Sequence, residues 1–222
     1  MFMMFPAVAT MASLYTTDFY QAILNWDAGI LLWIQEFIRN DFLTPVMKAI
    51  TMSVDGGIFW IVLSVILICI PKTRKTGMCS ALALVFSVII CNVLLKNLFG
   101  RIRPYEVIDG LNLLVKAADD PSFPSGHTSA SFAASVAMLL SSNKKSKPYA
   151  IAAVVYAFIV GFTRLYVGIH YPTDVICAAI IASAFAVPAT YLGKMLYDKL
   201  AEVFRKKKET KAVATEKDGS EK

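Results

Sequence analysis

Long apolar runs constrain the fold of this chain more than any other feature of its sequence. An apolar helix of roughly 17 to 25 residues is long enough to cross the hydrocarbon core of a bilayer. Hydrophobic residues make up 57% of the 222 residues and charged residues only 17%, a composition too apolar for an ordinary soluble domain. We therefore predict an all-α, polytopic membrane protein with strong helices at about 57–70, 77–98, 125–141, 149–165 and 172–196.

A sixth, weaker apolar segment lies at 18–38. Asp27 and Glu36 interrupt it, whereas Trp26 and Trp33 are typical of anchors at the membrane interface. The segment either crosses the membrane, which completes a six-helix bundle, or lies in the membrane surface as an amphipathic helix. The predicted organisation is an N-terminal segment (1–17), a membrane-embedded domain (18–200) and a basic, disordered tail (201–222).

The distribution of positive charge predicts the orientation. Lysine and arginine are concentrated in three short segments, 71–77, 141–148 and 204–211, and the positive-inside rule places these in the cytoplasm. The loops 99–124 and 166–171 then face outward. We expect a multi-pass plasma-membrane protein with a cytoplasmic tail. Its expected partner is the lipid bilayer, not nucleic acid. The sequence indicates no oligomeric state.

The outward face collects the ionisable residues. Charged side chains next to hydrocarbon are costly, so they usually pair or line a polar site, although a single cation at a helix end is often only an anchor. Arginine suits bidentate recognition of phosphate oxygens, and lysine adds a point charge. The outer ends of the predicted helices carry these candidates: Lys96, Arg103, Arg164, both histidines (His127 and His170) and Asp174.

The stretch "PSGH" precedes a helix of small residues. Backbone N–H groups at a helix start bind anions, and Gly126 would let an oxyanion approach the backbone closely. Ser125 could equally be an ordinary N-cap, but that explanation leaves His127 unaccounted for. The helix macrodipole disfavours a cation there, so a bound phosphate would be needed to keep His127 protonated as a proton donor.

The second histidine has a carboxylate partner nearby in sequence. Asp174 follows His170 by four residues, so it can fix the tautomer of the imidazole and leave the other ring nitrogen free to attack. The alternative is a surface histidine capped by an aspartate. The four cysteines lack the paired spacing of metal ligands, and we predict neither a metal nor a cofactor.

Together these residues resemble the three-part signature of the type 2 phosphatidic acid phosphatase family. Its parts are Lys96 with Arg103 and Pro104, then Pro124 to His127, then Arg164, His170 and Asp174, and every spacing fits. Thr163 stands before Arg164 where serine is also common. The resemblance covers about 96–174 by motif and the whole chain by its helical pattern. Within the family, the chain resembles the small bacterial membrane-bound type.

The resemblance implies metal-independent hydrolysis of a phosphomonoester or diphosphate through a phosphohistidine. His170 would attack phosphorus, Asp174 would orient it, and His127 would protonate the leaving oxygen and then activate water. The equatorial phosphate oxygens would be held by the remaining motif residues: Lys96, Arg103, Ser125, Gly126 and Arg164.

A lipid is the expected substrate, because its chains can stay in the leaflet while its phosphate enters the outer site. The resemblance favours undecaprenyl diphosphate or phosphatidylglycerol phosphate, with phosphatidic acid also possible. The soluble acid phosphatases and haloperoxidases that share this site fit such an apolar chain poorly, whereas a membrane-bound sugar-phosphate phosphatase stays open. A non-enzymatic protein that binds or transports an anionic lipid would need the cations but not the histidines.

Overall fold

The structure, a computed structural model, describes the backbone of residues 18–220 and side chains from residue 18 to residue 207. The predicted segment 1–17 lies outside the described residues. The described part is 78% helix and contains no strand, which confirms the all-α prediction.

Nine α-helices follow in order along the described chain. They are α1 (Asp18–Trp33), α2 (Leu43–Ser53), α3 (Ile58–Cys69), α4 (Arg74–Ser87), α5 (Lys96–Phe99), α6 (Pro104–Val107), α7 (Gly126–Ser141), α8 (Lys147–Tyr166) and α9 (Pro172–Ser220). Two π-helical stretches continue α1 and α4, at Ile34–Ile38 and Val88–Leu95, and a short 3₁₀ turn at Asp55–Gly57 separates α2 from α3.

Three of these stretches are long and apolar enough to cross a membrane: Arg74–Val107, Lys147–Tyr166 and Pro172–Lys207. The pair α2 and α3, bent by 42° at the 3₁₀ turn, would make a fourth span. At about 1.5 Å per residue, the 16 residues of α7 extend only about 24 Å, less than a bilayer core. The predicted multi-pass architecture is thus supported with three to four candidate spans, and the count of six stays a prediction.

Helix α7 lies at the centre of the bundle and packs against α4, α8 and α9. Its buried face carries alanine and serine, whose small side chains let the neighbouring helices approach closely. Serine hydroxyls also join it to other helices, since Ser131 accepts a 2.8 Å hydrogen bond from the Trp60 indole and Ser129 lies 3.0 Å from the Ser87 hydroxyl. This packing fixes the N-terminus of α7, where His127 lies.

Helix α1 presents one narrow face to the bundle. Asp27, Leu31 and Ile34 are buried, at the spacing of a single helix face, whereas Trp26 and Trp33 are about half exposed. The pattern is that of a helix covered by protein on one side and by apolar surroundings on the other. The buried carboxylate of Asp27 requires a partner, and Arg101 provides it.

The C-terminal region continues the last helix. Helix α9 runs as far as Ser220, and the expected disorder of residues 201–222 stays a prediction. Lysine, glutamate and alanine dominate this region and are strong helix formers, and its single glycine comes only at the end of the helix. High polarity therefore does not prevent this segment from extending the last apolar helix.

Candidate active site

The three motif segments meet at one end of the bundle, around a cavity of about 710 Å³. Lys96 comes from the start of α5, Arg103 immediately precedes α6, and Arg164 lies in the last turn of α8. Both histidines, from the first turn of α7 and the turn before α9, also line the cavity. The structure thus brings together side chains that are up to 74 positions apart in sequence.

His170 is fully buried, with its two ring nitrogens in different environments. Its Nδ1 lies 3.5 Å from a carboxylate oxygen of Asp174, and its Nε2 lies 3.5 Å from the Arg103 guanidinium at the cavity. Burial lowers the pKa of His170 to about 4; the Asp174 carboxylate opposes this shift, and the charges of Arg164 and Arg103 add to it. The imidazole is therefore neutral near pH 7, the form that can attack an electrophile.

Asp174 is itself held firmly in the first turn of α9. It is fully buried and accepts hydrogen bonds from the Ser122 hydroxyl and, at 3.0 Å, from the backbone N–H of Tyr171. Its second oxygen accepts a 2.6 Å bond from Arg101. With its orientation fixed on both oxygens, the carboxylate can fix the orientation of His170 in turn.

Lys96 and Arg103 share one anionic partner, Asp120. Lys96 pairs with one oxygen of this carboxylate, and Arg103 donates a 2.6 Å bond to the other. Arg103 is also anchored to backbone carbonyls, at 2.8 Å to Asp120 and 3.0 Å to Ile169. Burial raises the pKa of Asp120, but the hydrogen bonds and charges of Lys96 and Arg103 outweigh it and lower the pKa to about 2. The Asp120 carboxylate therefore pairs with Lys96 and Arg103, the two cations that the sequence predicts to bind phosphate.

Arg164 and His127 contact the opposite wall, made by α2 and the 3₁₀ turn. Arg164 donates to the Thr51 hydroxyl, and His127 Nε2 lies 3.3 Å from a carboxylate oxygen of Asp55. The Asp55 side chain is 78% exposed, so it lies at the mouth of the cavity. His127 is only partly buried and faces the same space as His170.

The start of α7 combines a cap and a glycine. The Ser125 side chain is fully buried and accepts from the backbone N–H of Thr128, so it caps the helix as the alternative interpretation expected. It also accepts from the Thr128 hydroxyl at 2.9 Å, and it does not line the cavity. Gly126 does line it, and a Cβ there would come within 2.9 Å of the Asn92 side chain. Glycine thus lets the Asn92 side chain approach the helix N-terminus at the cavity wall.

Sequence reasoning missed several polar residues at or behind this cavity: Asp27, Thr51, Asp55, Arg101, Asp120 and Ser122. A carboxylate inside an apolar helix is itself a signal of a polar site, and that signal could have identified Asp27. Thr51 lies in α2, and the other four lie in loops or turns whose side-chain directions depend on the folded chain. Among the described residues, no group of three or more histidine, cysteine, aspartate or glutamate side chains could hold a metal ion.

Comparison with known proteins places this geometry in a family. The profile of the PAP2 superfamily matches residues 76–198, more than half of the chain. This protein belongs to the PAP2 superfamily. The matched region contains all ten motif residues, from Lys96 to Asp174, and it confirms the family resemblance that the motifs indicated.

The PAP2 relatives include several lipid phosphatases. The chain is 31% identical to an undecaprenyl-diphosphatase of Sulfolobus acidocaldarius over 56% of this chain and 58% of that protein. It is 31% identical to the undecaprenyl-diphosphatase BcrC of Bacillus subtilis, over 65% of this chain and 72% of that protein. A lipid A 4'-phosphatase of Bacteroides thetaiotaomicron is 30% identical, over 70% of this chain and 71% of that protein.

Two solved PAP2 structures share the fold. The transmembrane phosphatidylglycerolphosphate phosphatase of Bacillus subtilis superposes with a TM-score of 0.64 at 25% identity, covering 86% of this chain and 92% of that chain. The Aquifex aeolicus protein LpxE gives a TM-score of 0.63 at 25% identity, covering 74% and 94%. These neighbours and the apolar helices support a multi-pass membrane protein.

Proposed function

We propose that this PAP2 protein is an integral membrane phosphatase that hydrolyses a lipid phosphate or diphosphate through a phosphohistidine at His170. One observation carries the proposal: a buried imidazole, oriented by a carboxylate, faces a cavity lined by the motif cations Lys96, Arg103 and Arg164. Anion binding alone would require the cations but not the oriented imidazole.

The first step is attack of His170 Nε2 on phosphorus. A P–N bond forms, the bond from phosphorus to the leaving oxygen breaks, and His127, held in its protonated form by the negative charge of the bound phosphate, gives that oxygen its proton. Lys96, Arg103 and Arg164 stabilise the negative charge on the three equatorial oxygens, where charge spreads in the transition state. The phosphate takes the place of the Asp120 carboxylate on Lys96 and Arg103.

The second step releases orthophosphate. His127, now neutral, accepts a proton from water, which attacks phosphorus as the P–N bond breaks and the electron pair returns to His170. The backbone at Gly126 and the N-terminus of α7 stabilise the anion through both steps. Each of these roles falls to a residue of the chain itself, so the reaction is proposed to need no metal.

The apolar surroundings of the cavity support a lipid substrate. A second cavity, of about 360 Å³ and lined almost entirely by apolar side chains, lies between α3 and α4 with its π-helical continuation. It shares Ile61, Leu84 and Val88 with the catalytic cavity, so the two are adjacent. An acyl or prenyl chain in this groove would leave its phosphate among the cations.

Two lipids are favoured, undecaprenyl diphosphate and phosphatidylglycerol phosphate, with phosphatidic acid a further candidate. The names of the relatives and of one solved neighbour support the first two. Two more lysines, Lys48 and Lys116, line the cavity and would suit the second phosphate of a diphosphate.

The active site is proposed to face the outside of the plasma membrane, with the C-terminus in the cytoplasm. The contacts at the other end of the bundle support this orientation. Lys75 pairs with Asp198 at 2.8 Å, and Lys194 donates to the Leu140 carbonyl at 3.0 Å, so the basic ends of α4 and α9 lie together. The positive-inside rule assigns that end to the cytoplasm.

The decisive experiment measures orthophosphate release by the detergent-purified protein in the presence of EDTA. The substrates are undecaprenyl diphosphate, phosphatidylglycerol phosphate, phosphatidic acid and a soluble phosphomonoester, each tested with the unaltered protein and with His170→Ala. The proposal predicts turnover of at least one lipid and none in the variant. A variant as active as the parent, or a parent that binds these lipids without turnover, would contradict it.

A further inference from the structure

Asp27 lies outside the family motifs, yet its environment is as specific as that of any motif residue. Its side chain is fully buried in the apolar helix α1. It accepts hydrogen bonds from Arg101 Nη2 at 2.7 Å, from the backbone N–H of Thr173 at 2.9 Å and from the Thr173 hydroxyl. Burying a charge is costly unless it is paired, so this arrangement calls for an explanation beyond helix packing.

Arg101 connects Asp27 to the orienting carboxylate. One guanidinium nitrogen donates to Asp27, and the other donates to Asp174 at 2.6 Å and to the Thr173 hydroxyl at 2.7 Å. The guanidinium carbon Cζ lies over the Tyr171 ring, 3.8 Å from its centroid, in a cation–π contact. Arg101 is only 8% exposed, so water does not replace these contacts.

The charges of this chain of contacts matter for His170. With Asp27 the group of Asp27, Arg101 and Asp174 carries one net negative charge, and without it the positive charge of Arg101 would cancel that of Asp174. Among the described residues, the other charges that act on His170 are those of the cations Arg103 and Arg164. Attack on phosphorus places positive charge on the imidazole, so the surplus negative charge behind it stabilises the transition state.

We propose that Asp27 is a positioning residue: it offsets the charge of Arg101 and orients its guanidinium, so that the group keeps one net negative charge behind His170 and Asp174 keeps its geometry toward the imidazole. The proposal rests on the proposed function, because it assigns a purpose within that reaction. It also gives α1 a role, since this helix contributes the residue that completes the charge arrangement behind the nucleophile.

The test compares Asp27→Asn with the unaltered protein under the phosphate-release conditions above. The variant keeps the shape of the side chain and removes its charge. We expect kcat to fall about tenfold, the effect of weakening one charge-assisted hydrogen bond in the transition state, and KM to stay within about twofold. Asp18→Asn is the matched control, because Asp18 lies on the same helix and is exposed, and its kcat should not change.

A charge-balance test separates positioning from simple damage to the fold. Arg101→Gln leaves two buried carboxylates without their shared cation, and we expect it to lower kcat more than Asp27→Asn does. In the double variant the surplus of one negative charge is restored, so kcat should rise above that of Arg101→Gln alone. Independent structural damage would instead make the double variant the slowest of the three.

Thr173 provides a second route if Asp27→Asn does not fold. Thr173→Val removes the hydroxyl that joins Asp27 to Arg101 at nearly constant volume, and we expect kcat to fall severalfold. Thr173→Ser restores the hydroxyl and should recover most of that loss.

The outcomes distinguish this inference from the proposed function. An active parent, an inactive His170→Ala and an unchanged kcat in Asp27→Asn would overturn the inference and leave the function standing. A lower kcat with an unchanged KM in Asp27→Asn, together with recovery of kcat in the double variant or in Thr173→Ser, would support the inference. A parent without any lipid phosphatase activity would overturn both.

Discussion

Replacing Asp174 by asparagine removes one charge behind the proposed nucleophile and changes almost nothing in volume. Each oxygen of this buried carboxylate accepts hydrogen bonds: one from Arg101, the other from the Ser122 hydroxyl and the Tyr171 N–H. Whichever way the asparagine amide is turned, its NH₂ group faces a donor. At least one charge-assisted bond is therefore lost, and the stabilisation of a cationic His170 is lost with it.

The expected fall in kcat follows from those contacts. A hydrogen bond to a charged group contributes about 1.5–3 kcal/mol. Since each 1.36 kcal/mol of transition-state stabilisation is a factor of ten in rate, kcat should fall roughly 10- to 100-fold. KM should change little, because Asp174 does not line the cavity that receives the phosphate.

The assay is steady-state orthophosphate release from the preferred lipid, with the unfolding temperature measured for each variant. Asp198→Asn serves as the control, because it makes the same chemical change on the same helix in a side chain that is 62% exposed. Its exposed ion pair with Lys75 contributes little, so its kcat should stay within about twofold. An Asp174→Asn protein that folds normally and keeps more than a third of the parental kcat would refute the proposed role of the carboxylate.

Three further predictions concern packing, the lipid groove and protonation. Gly77→Ala should lower the free energy of unfolding by about 1–3 kcal/mol in a thermal unfolding assay, because its Cβ would lie 2.6 Å from the backbone of α3. Gly29→Ala, with open space around it, is the control and should not destabilise the protein. Equal unfolding temperatures for the two variants would contradict the close packing of α4 on α3. Val85→Trp narrows the apolar groove and should lower the ratio of kcat/KM for a long-chain lipid to that for a soluble phosphomonoester, and an unchanged ratio would exclude the groove as the site of the lipid chain. The lowered pKa of His170 predicts that its ring stays neutral until pH falls toward about 4, which ¹⁵N NMR of histidine-labelled protein can follow because the chain has only two histidines; a midpoint near 6.5 would contradict the buried environment.

The sequence predicts much of the site because a membrane restricts where polar groups can lie. The motif spacing and the alternation of helices are enough to expect Lys96, His127 and His170 at one end of the bundle, and the structure places them around one cavity. A carboxylate four residues after His170 is expected to reach it because both lie at one helix start. These are short-range or topological inferences, which a single sequence can support.

The remaining features depend on tertiary contacts that no local pattern encodes. Asp27 and Arg101 are 74 positions apart, and nothing in either neighbourhood indicates the other. Asp120 could be expected only to lie in a polar loop, but the fold of the loop turns it toward two cations. The length of α9 could not be predicted from the polarity of the tail, because its residues also have high helix propensity.

The central claim, that His170 forms a covalent phosphoenzyme, is tested most directly by trapping that intermediate. The protein is mixed with lipid carrying a ³²P label in the transferred phosphate and quenched in base, where a phosphohistidine survives, and the labelled peptide is identified by mass spectrometry. The account predicts base-stable, acid-labile label on the peptide that contains His170, accumulating further in His127→Asn if loss of the water-activating group slows the second step. Phosphate release without any such label, or label on another residue, would contradict it.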